Sequence, residues 1–159
     1  MAEPSIDSML IAYDGSEEAK IALAYAGKVL RVKRAYILTA WEPLHRQAAR
    51  AASHAGMMQS DVHATEENGD PAHDEAVVIC REGVEGAAAE GFEAKPYLVE
   101  TETTIWSAII DAANELDASV IVTGNRGLSG VRSLFSTSTS DALAKNAGRP
   151  VLIVPAEQD

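Results

Sequence analysis

Apolar residues along the chain gather in five short runs, separated by longer segments of helical period. The runs at 9–13, 35–41, 95–100, 119–123 and 151–154 read as strands. Three of them, MLIAY, VIVT and VLIV, are almost continuously apolar, as expected of strands covered on both faces. The first, fourth and fifth strands are therefore expected at the centre of a sheet. Between the first two runs, Ala22, Tyr25, Ala26 and Val29 recur at i, i+3, i+4 and i+7, with Ser16 in front as an N-cap and Glu17 and Glu18 in the first turn. A second helix is predicted over about 72–90, where Ala76, Ile79, Cys80, Gly83 and Ala87 share a stripe that Gly83 and Gly86 weaken. The third helix is the clearest, because Ile105, Ala108, Ile109, Ala112, Ala113 and Leu116 hold one face. A last helix over about 138–147 is closed by Gly148 and Pro150.

Strands alternating with helices of this length form right-handed βαβ units. The expected fold class is α/β: an open, doubly wound five-stranded parallel sheet with helices on both faces, in one domain over 1–159. A polar stretch at about 42–71, rich in Ala, Ser, Gln and His, interrupts the alternation and reads as a long loop excursion. With 159 residues and 47% apolar content, the chain can bury a core without staples. Cys80 is the one cysteine, so no intramolecular disulfide can form. The opening MAEPSIDS has no basic n-region and the apolar run after it is short, which points to a cytoplasmic protein, neither secreted nor membrane-spanning. Thirteen Lys and Arg against 24 Asp and Glu give a formal charge of −11, which repels nucleic acid and anionic lipid alike. A small anion is still admissible wherever backbone N–H groups converge.

In an open α/β sheet such convergence occurs beyond the carboxyl ends of the strands. Asp14-Gly15-Ser16 follows the first strand, a carboxylate on a tight turn into a helix. After the fourth comes Gly124-Asn125-Arg126-Gly127-Leu128-Ser129-Gly130, with three glycines in seven residues. Such a segment is either a connector that needs bends or a loop whose free N–H groups approach a phosphate. The run Ser136-Thr137-Ser138-Thr139-Ser140 opens the last helix, and five consecutive hydroxyls exceed what one N-cap requires. Arg126 and Arg132 are candidate partners for phosphate, or simply solvated. His45, His54, His63 and His73 lie nine, nine and ten residues apart, which is not a metal-ligand spacing, so no metal site is expected. Cys80 reads as a buried small hydrophobe, Trp106 as packing or interface, and Met57 and Met58 say little.

Together these residues resemble a family. Gly124, Gly127 and, after nine further residues, Thr137-Ser138 approach the G-x2-G-x9-(G/S/T)-S/T signature of ATP-binding universal stress proteins. LIAYDGSEEAKIALAYA resembles that family's first strand and helix, LTAW its second strand, SAIIDAANELDASVIVTGNRGLSG its third helix and fourth strand, and RPVLIVP its last strand. The excursion has no counterpart. The resemblance implies an adenine nucleotide alpha hydrolase-like fold with ATP, together with Mg²⁺, as the ligand. It places Ala12, Tyr13 and Asp14 at the adenine and ribose end and gives Trp41 a backbone contact with the base. Thr123, Gly124 and Gly127 would face ribose and the α-phosphate, and Gly130 would shape the turn. Thr137, Ser138 and Thr139 would cap the outer phosphates. Thr137 departs from the glycine common in ATP binders, so its side chain either crowds the phosphates or donates to them.

Three functions follow as expectations. The first is a cytoplasmic ATP-binding regulatory module of the stress response, with nucleotide acting as a conformational ligand and an unidentified client protein. The second is a member that does not bind ATP and serves as a protein interaction module. The third is a slow ATPase on the same fold. No P-loop, ordered Ser-His-Asp set or pyrophosphatase loop is present, so an enzyme of ordinary turnover is not expected. A homodimer through the last strand is also expected, since the resemblance puts Val151-Leu152-Ile153-Val154 at a sheet edge that self-pairing would close.

Overall fold

The computed structural model describes residues 7–54, 69–125 and 137–155. Five strands, β1 (Ser8–Ala12), β2 (Arg34–Trp41), β3 (Glu93–Glu100), β4 (Val120–Asn125) and β5 (Val151–Pro155), form one sheet. Every pairing is parallel and the order is β3-β2-β1-β4-β5. The helices are α1 (Glu17–Val29), α2 (Leu44–His54), α3 (Pro71–Ala89), α4 (Ile105–Glu115) and α5 (Thr137–Asn146). The expected α/β class and doubly wound sheet are what the chain adopts.

Two cores lie on the two faces. Met9, Ile11 and Ile37 of the sheet share one core with Leu23 of α1 and Cys80 of α3, while Leu10, Leu38 and Ile121 share the other with Ile109 of α4 and Leu143 of α5. Alternate residues of β1 therefore feed opposite cores, and all five are buried. Because α1 leaves β1 on one face and α5 follows β4 on the other, the crevice at the switch point opens beyond the carboxyl ends of β1 and β4. Cys80 is buried, and its thiol donates to the Ile37 carbonyl at 3.2 Å. Among the described residues, no helix is long and apolar enough to cross a membrane.

Several local expectations need correction. VLIV is an edge strand, not a central one. Leu152 and Val154 face the α1 side and Val151 the α4/α5 side, so its continuous apolar run reflects cover on both faces and not a neighbour on both edges. On α1 the buried stripe is Ala19, Ala22, Leu23 and Ala26, whereas Tyr25 and Val29 are 46% and 48% exposed. Small side chains let the helix approach the sheet, and the tyrosine is left outside. The excursion at 42–71 is not wholly irregular, because α2 fills Leu44–His54 with helix-forming Ala, Arg and Gln and no internal Gly or Pro. Residues 55–68 lie outside the described residues. Gly83 is a requirement of α3, since a Cβ there would stand 2.7 Å from Ile37 Cγ2 and 2.8 Å from the Tyr13 ring.

Candidate nucleotide site at the switch point

Asp14 leaves β1 just before α1. Its Oδ1 accepts the Ser16 N–H at 3.0 Å, and the Ser16 hydroxyl in turn caps α1 by accepting the Ala19 N–H at 3.2 Å. The other oxygen, Oδ2, is buried without a hydrogen-bond partner among the described residues. A buried carboxylate oxygen with no donor is costly, so a fold keeps one where something else supplies the donor. Asn125 Oδ1, at the end of β4, is a second buried acceptor of this kind. Both lie at the switch point.

Beside Asp14 is a cavity of about 380 Å³. The ends of β1 and β2 supply Asp14, Thr39, Ala40 and Trp41, α2 supplies Gln47, and α3 supplies Ala72, Glu75, Ala76 and Ile79. His73 meets the Trp41 ring edge-on, with centroids 5.0 Å apart and an interplanar angle of 77°. The Thr39 hydroxyl donates to the Tyr13 carbonyl at 3.0 Å. The Trp41 carbonyl accepts from Thr101 twice, from its N–H at 2.9 Å and from its hydroxyl at 3.2 Å. Two ties fix the α2 wall. Arg46 donates to the Thr101 carbonyl and to Glu100 Oε1, the latter at 2.6 Å, and Gln47 Nε2 donates to the Glu42 carbonyl at 2.6 Å.

Of the residues singled out in the sequence, Asp14 and Trp41 meet at this cavity. Ala12 and Tyr13 lie behind it, fully buried. The Tyr13 hydroxyl donates to Glu82 Oε1 at 2.6 Å, and burial first, then this bond, push the phenol far above its ordinary value. It is a neutral donor tied to the α3 side. Thr123 is also buried, with its hydroxyl on the Gly124 carbonyl at 3.1 Å, and Ser140 Oγ reaches the same carbonyl at 3.2 Å, docking α5 onto the end of β4. A Cβ on Gly124 would stand 2.8 Å from the Glu18 carbonyl oxygen, so this glycine is required by the approach of α1. Thr139 is buried in the first turn of α5, and Thr137 and Ser138 open that helix. Arg126, Gly127, Gly130 and Arg132 lie outside the described residues.

Thr39, Gln47 and Glu75 are site residues that the sequence did not announce. The Asp70-Pro71 pair is a helix-start signal, with an N-capping Asp and Pro at the first helical position, and it could have placed Ala72 to Ala76 at a helix N-terminus. Nothing in the local sequence pointed to Gln47, since its placement depends on Arg46 reaching across to Thr101 and Glu100.

A family model described as the universal stress protein family matches residues 5–155. The universal stress protein YxiE of Bacillus subtilis (strain 168) is 29% identical over 151 residues, spanning 93% of this chain and 98% of its own. Among solved structures, a universal stress protein in complex with cAMP matches with a TM-score of 0.64 at 23% identity, over 94% of this chain and 98% of that one. The universal stress protein from Archaeoglobus fulgidus in complex with dAMP matches with a TM-score of 0.60 at 20% identity, over the same shares of 94% and 98%. With its β3-β2-β1-β4-β5 sheet and a family match over nearly its whole length, the chain belongs to the universal stress protein family.

Proposed function

We propose that the protein is a cytoplasmic adenine-nucleotide-binding regulatory module of the stress response, with ATP as a conformational ligand and not as a substrate of rapid turnover. The observation that carries this reading is the buried Asp14 Oδ2, without a hydrogen-bond partner among the described residues, at the rim of a cavity that also holds Trp41. A ribose hydroxyl or a base amine supplies the donor that oxygen lacks, and the apolar Ala40, Ala72, Ala76 and Ile79 suit a flat heterocycle. The fold relatives solved with cAMP and dAMP, two adenine nucleotides, support the same choice. The family signature Gly124-x2-Gly127 with Thr137-Ser138 is the candidate for the phosphate end. Mg²⁺ would enter with the nucleotide, on its phosphates.

Calorimetry with ATP and CTP tests the reading. ATP is expected to bind and CTP to bind at least about tenfold more weakly, because the base end of the site is shaped and the phosphate end reads only charge. Equal affinities, or no heat with either at millimolar ligand, would overturn it. ATP hydrolysis faster than about 1 s⁻¹, the lower end of ordinary enzymes, would replace the regulatory reading with an enzymatic one. The protein acts as a homodimer through β5, which lies at the sheet edge with Val151, Leu152 and Ile153 only partly covered. Sedimentation equilibrium showing a monomer at tens of micromolar would rule that assembly out.

A further inference from the structure

We infer that α2 is a lid over the cavity, latched by Arg46 to the end of β3, and that a ligand in the cavity holds it down. The inference rests on the nucleotide reading of the cavity and adds the element that answers to the nucleotide. Helices α1, α3, α4 and α5 are each held on the sheet by buried residues, among them Leu23, Cys80, Ile109 and Leu143. No described side chain of α2 is buried or belongs to either core, and Leu44, its one large aliphatic residue, is 45% exposed. An element without buried apolar contacts opens at low cost, independently of the rest of the fold.

What holds α2 is polar. The Leu44 N–H donates to Asp70 Oδ2 at 3.0 Å, and Arg46 donates to the Thr101 carbonyl and to Glu100 Oε1. A third bond, from Gln47 Nε2 to the Glu42 carbonyl, ties the helix only to its own connection with β2. The bond to Asp70 is exposed and the Arg46–Glu100 pair half-exposed, so water replaces each partner as the helix lifts. Its position gives that movement an effect. Gln47 lines the cavity together with Trp41 of β2 and Ala76 and Ile79 of α3, so lifting α2 removes one wall while β1, β2 and α3 stay anchored in their core. The latch closes on the same place: Thr101, which takes the Arg46 bond on its carbonyl, donates to the Trp41 carbonyl from its N–H at 2.9 Å and its hydroxyl at 3.2 Å. A ligand that touches Gln47 as well as Trp41 binds the docked arrangement better than the undocked one and shifts α2 toward it.

Hydrogen exchange on the full chain, with and without ATP, tests this. Without ATP the amides over 48–54 are expected to exchange at least about a hundredfold faster than the hydrogen-bonded amides of α1 and α4, and saturating ATP should slow them at least about tenfold. Protection of α2 equal to that of α1, or no slowing by ATP that calorimetry shows to be bound, would overturn the inference. Arg46→Met removes the latch and, because α2 stands outside both cores, is expected to leave exchange in α1 and α4 within about twofold. The same variant should quicken ATP association and ATP release alike, each at least about threefold, since a lid gates both directions. Unchanged rates would overturn the inference, as would a faster release alone, which would make Arg46 part of a fixed wall. Glu100→Gln keeps the bond to the Thr101 carbonyl and is expected to move both rates the same way by less. Failure of the unsubstituted protein to bind ATP at all would instead bring down the nucleotide reading, and this inference with it.

Discussion

The carboxylate of Asp70 accepts the backbone N–H of Leu44 at 3.0 Å, across 26 residues of sequence. Its other oxygen accepts the Ala72 N–H at 2.9 Å, so one side chain caps the first turns of α2 and α3 and holds together two walls of the cavity. Asp70→Ala is expected to cost about 1–3 kcal/mol, the sum of one strong and one exposed cap. Asp70→Asn keeps one accepting oxygen for α3 and should cost less than half as much. Urea denaturation checks the order: equal losses for the two variants would show that the bond to Ala72 contributes nothing, and an Asp70→Asn variant as stable as the unsubstituted protein would show the same of the bond to Leu44.

Two neighbouring glycines of α3 should respond oppositely to alanine. At Gly86 the nearest atoms to a new Cβ are Leu23 methyls at 3.8 Å, so Gly86→Ala gains helix propensity and is expected to stabilise by about 0.5–1 kcal/mol. At Gly83 the new Cβ would press on Ile37 and Tyr13 inside 3 Å, both of them fully buried core residues, and overpacking of about 1–3 kcal/mol outweighs the same gain. Thermal unfolding of the two variants decides it. A Gly83→Ala variant as stable as Gly86→Ala would mean that α3 shifts freely on the sheet.

Arg149 finishes α4 from the far end of the chain. Its guanidinium donates to the Ala113 carbonyl at 3.1 Å, to the Ala118 carbonyl, and to Asn114 Oδ1 at 2.5 Å, supplying partners to a helix C-terminus that carries no basic residue of its own in the last turn. Arg149→Met is expected to cost about 2–3 kcal/mol, since it leaves the carbonyls of Ala113 and Ala118 without these donors. Arg149→Lys should recover only part, because one ammonium cannot span the same three acceptors. Denaturant titration that finds Arg149→Met within 0.5 kcal/mol, a rough threshold for a surface change, would refute this.

Tyr13 and Glu82 give stability a dependence on pH. The Tyr13 hydroxyl holds the Glu82 carboxyl below its usual value, with Lys20 adding to the effect, and burial and Glu82 together hold the phenol above its own. A carboxyl lowered in the folded state stabilises above the usual carboxylate range and loses that contribution as pH falls through its folded value. A phenol raised in the folded state stabilises below about pH 10 and loses that contribution as pH rises. The stability difference between the unsubstituted protein and Tyr13→Phe should therefore be level from about pH 5 to pH 9 and shrink on both sides. Urea titrations across that range check it, and a difference that does not vary with pH would show that the pair does not titrate with folding.

Much of the architecture was written in local pattern. MLIAY and VIVT declared buried strands because residues that are apolar on both faces of the pleat need cover on both faces, and Ala112, Ala113 and Ile109 declared the inner face of α4 by their spacing. Asp14 was visible as a carboxylate on a turn after a buried strand. The same pattern misplaced VLIV, because period reports whether a face is covered and is silent about which strand lies alongside. It also put the α1 stripe on Tyr25 and Val29, since spacing alone cannot tell which of two overlapping faces the sheet accepts.

The sequence by itself therefore determined the succession of strands and of every helix but α2, the parallel sheet, the family, and the carboxylate and glycine that flank the switch point. The tertiary structure alone decided the cavity. Gln47, Glu75 and the pair Thr39 and Trp41 come from three separate elements, and α2 stands where it does because Asp70 and Thr101 accept its bonds from 26 and 55 residues away. Periodicity is a property of neighbours along the chain. Capping, lone-pair occupancy and the clearance beside a glycine are properties of neighbours in space, which exist only once the sheet has closed and the helices have been laid on it.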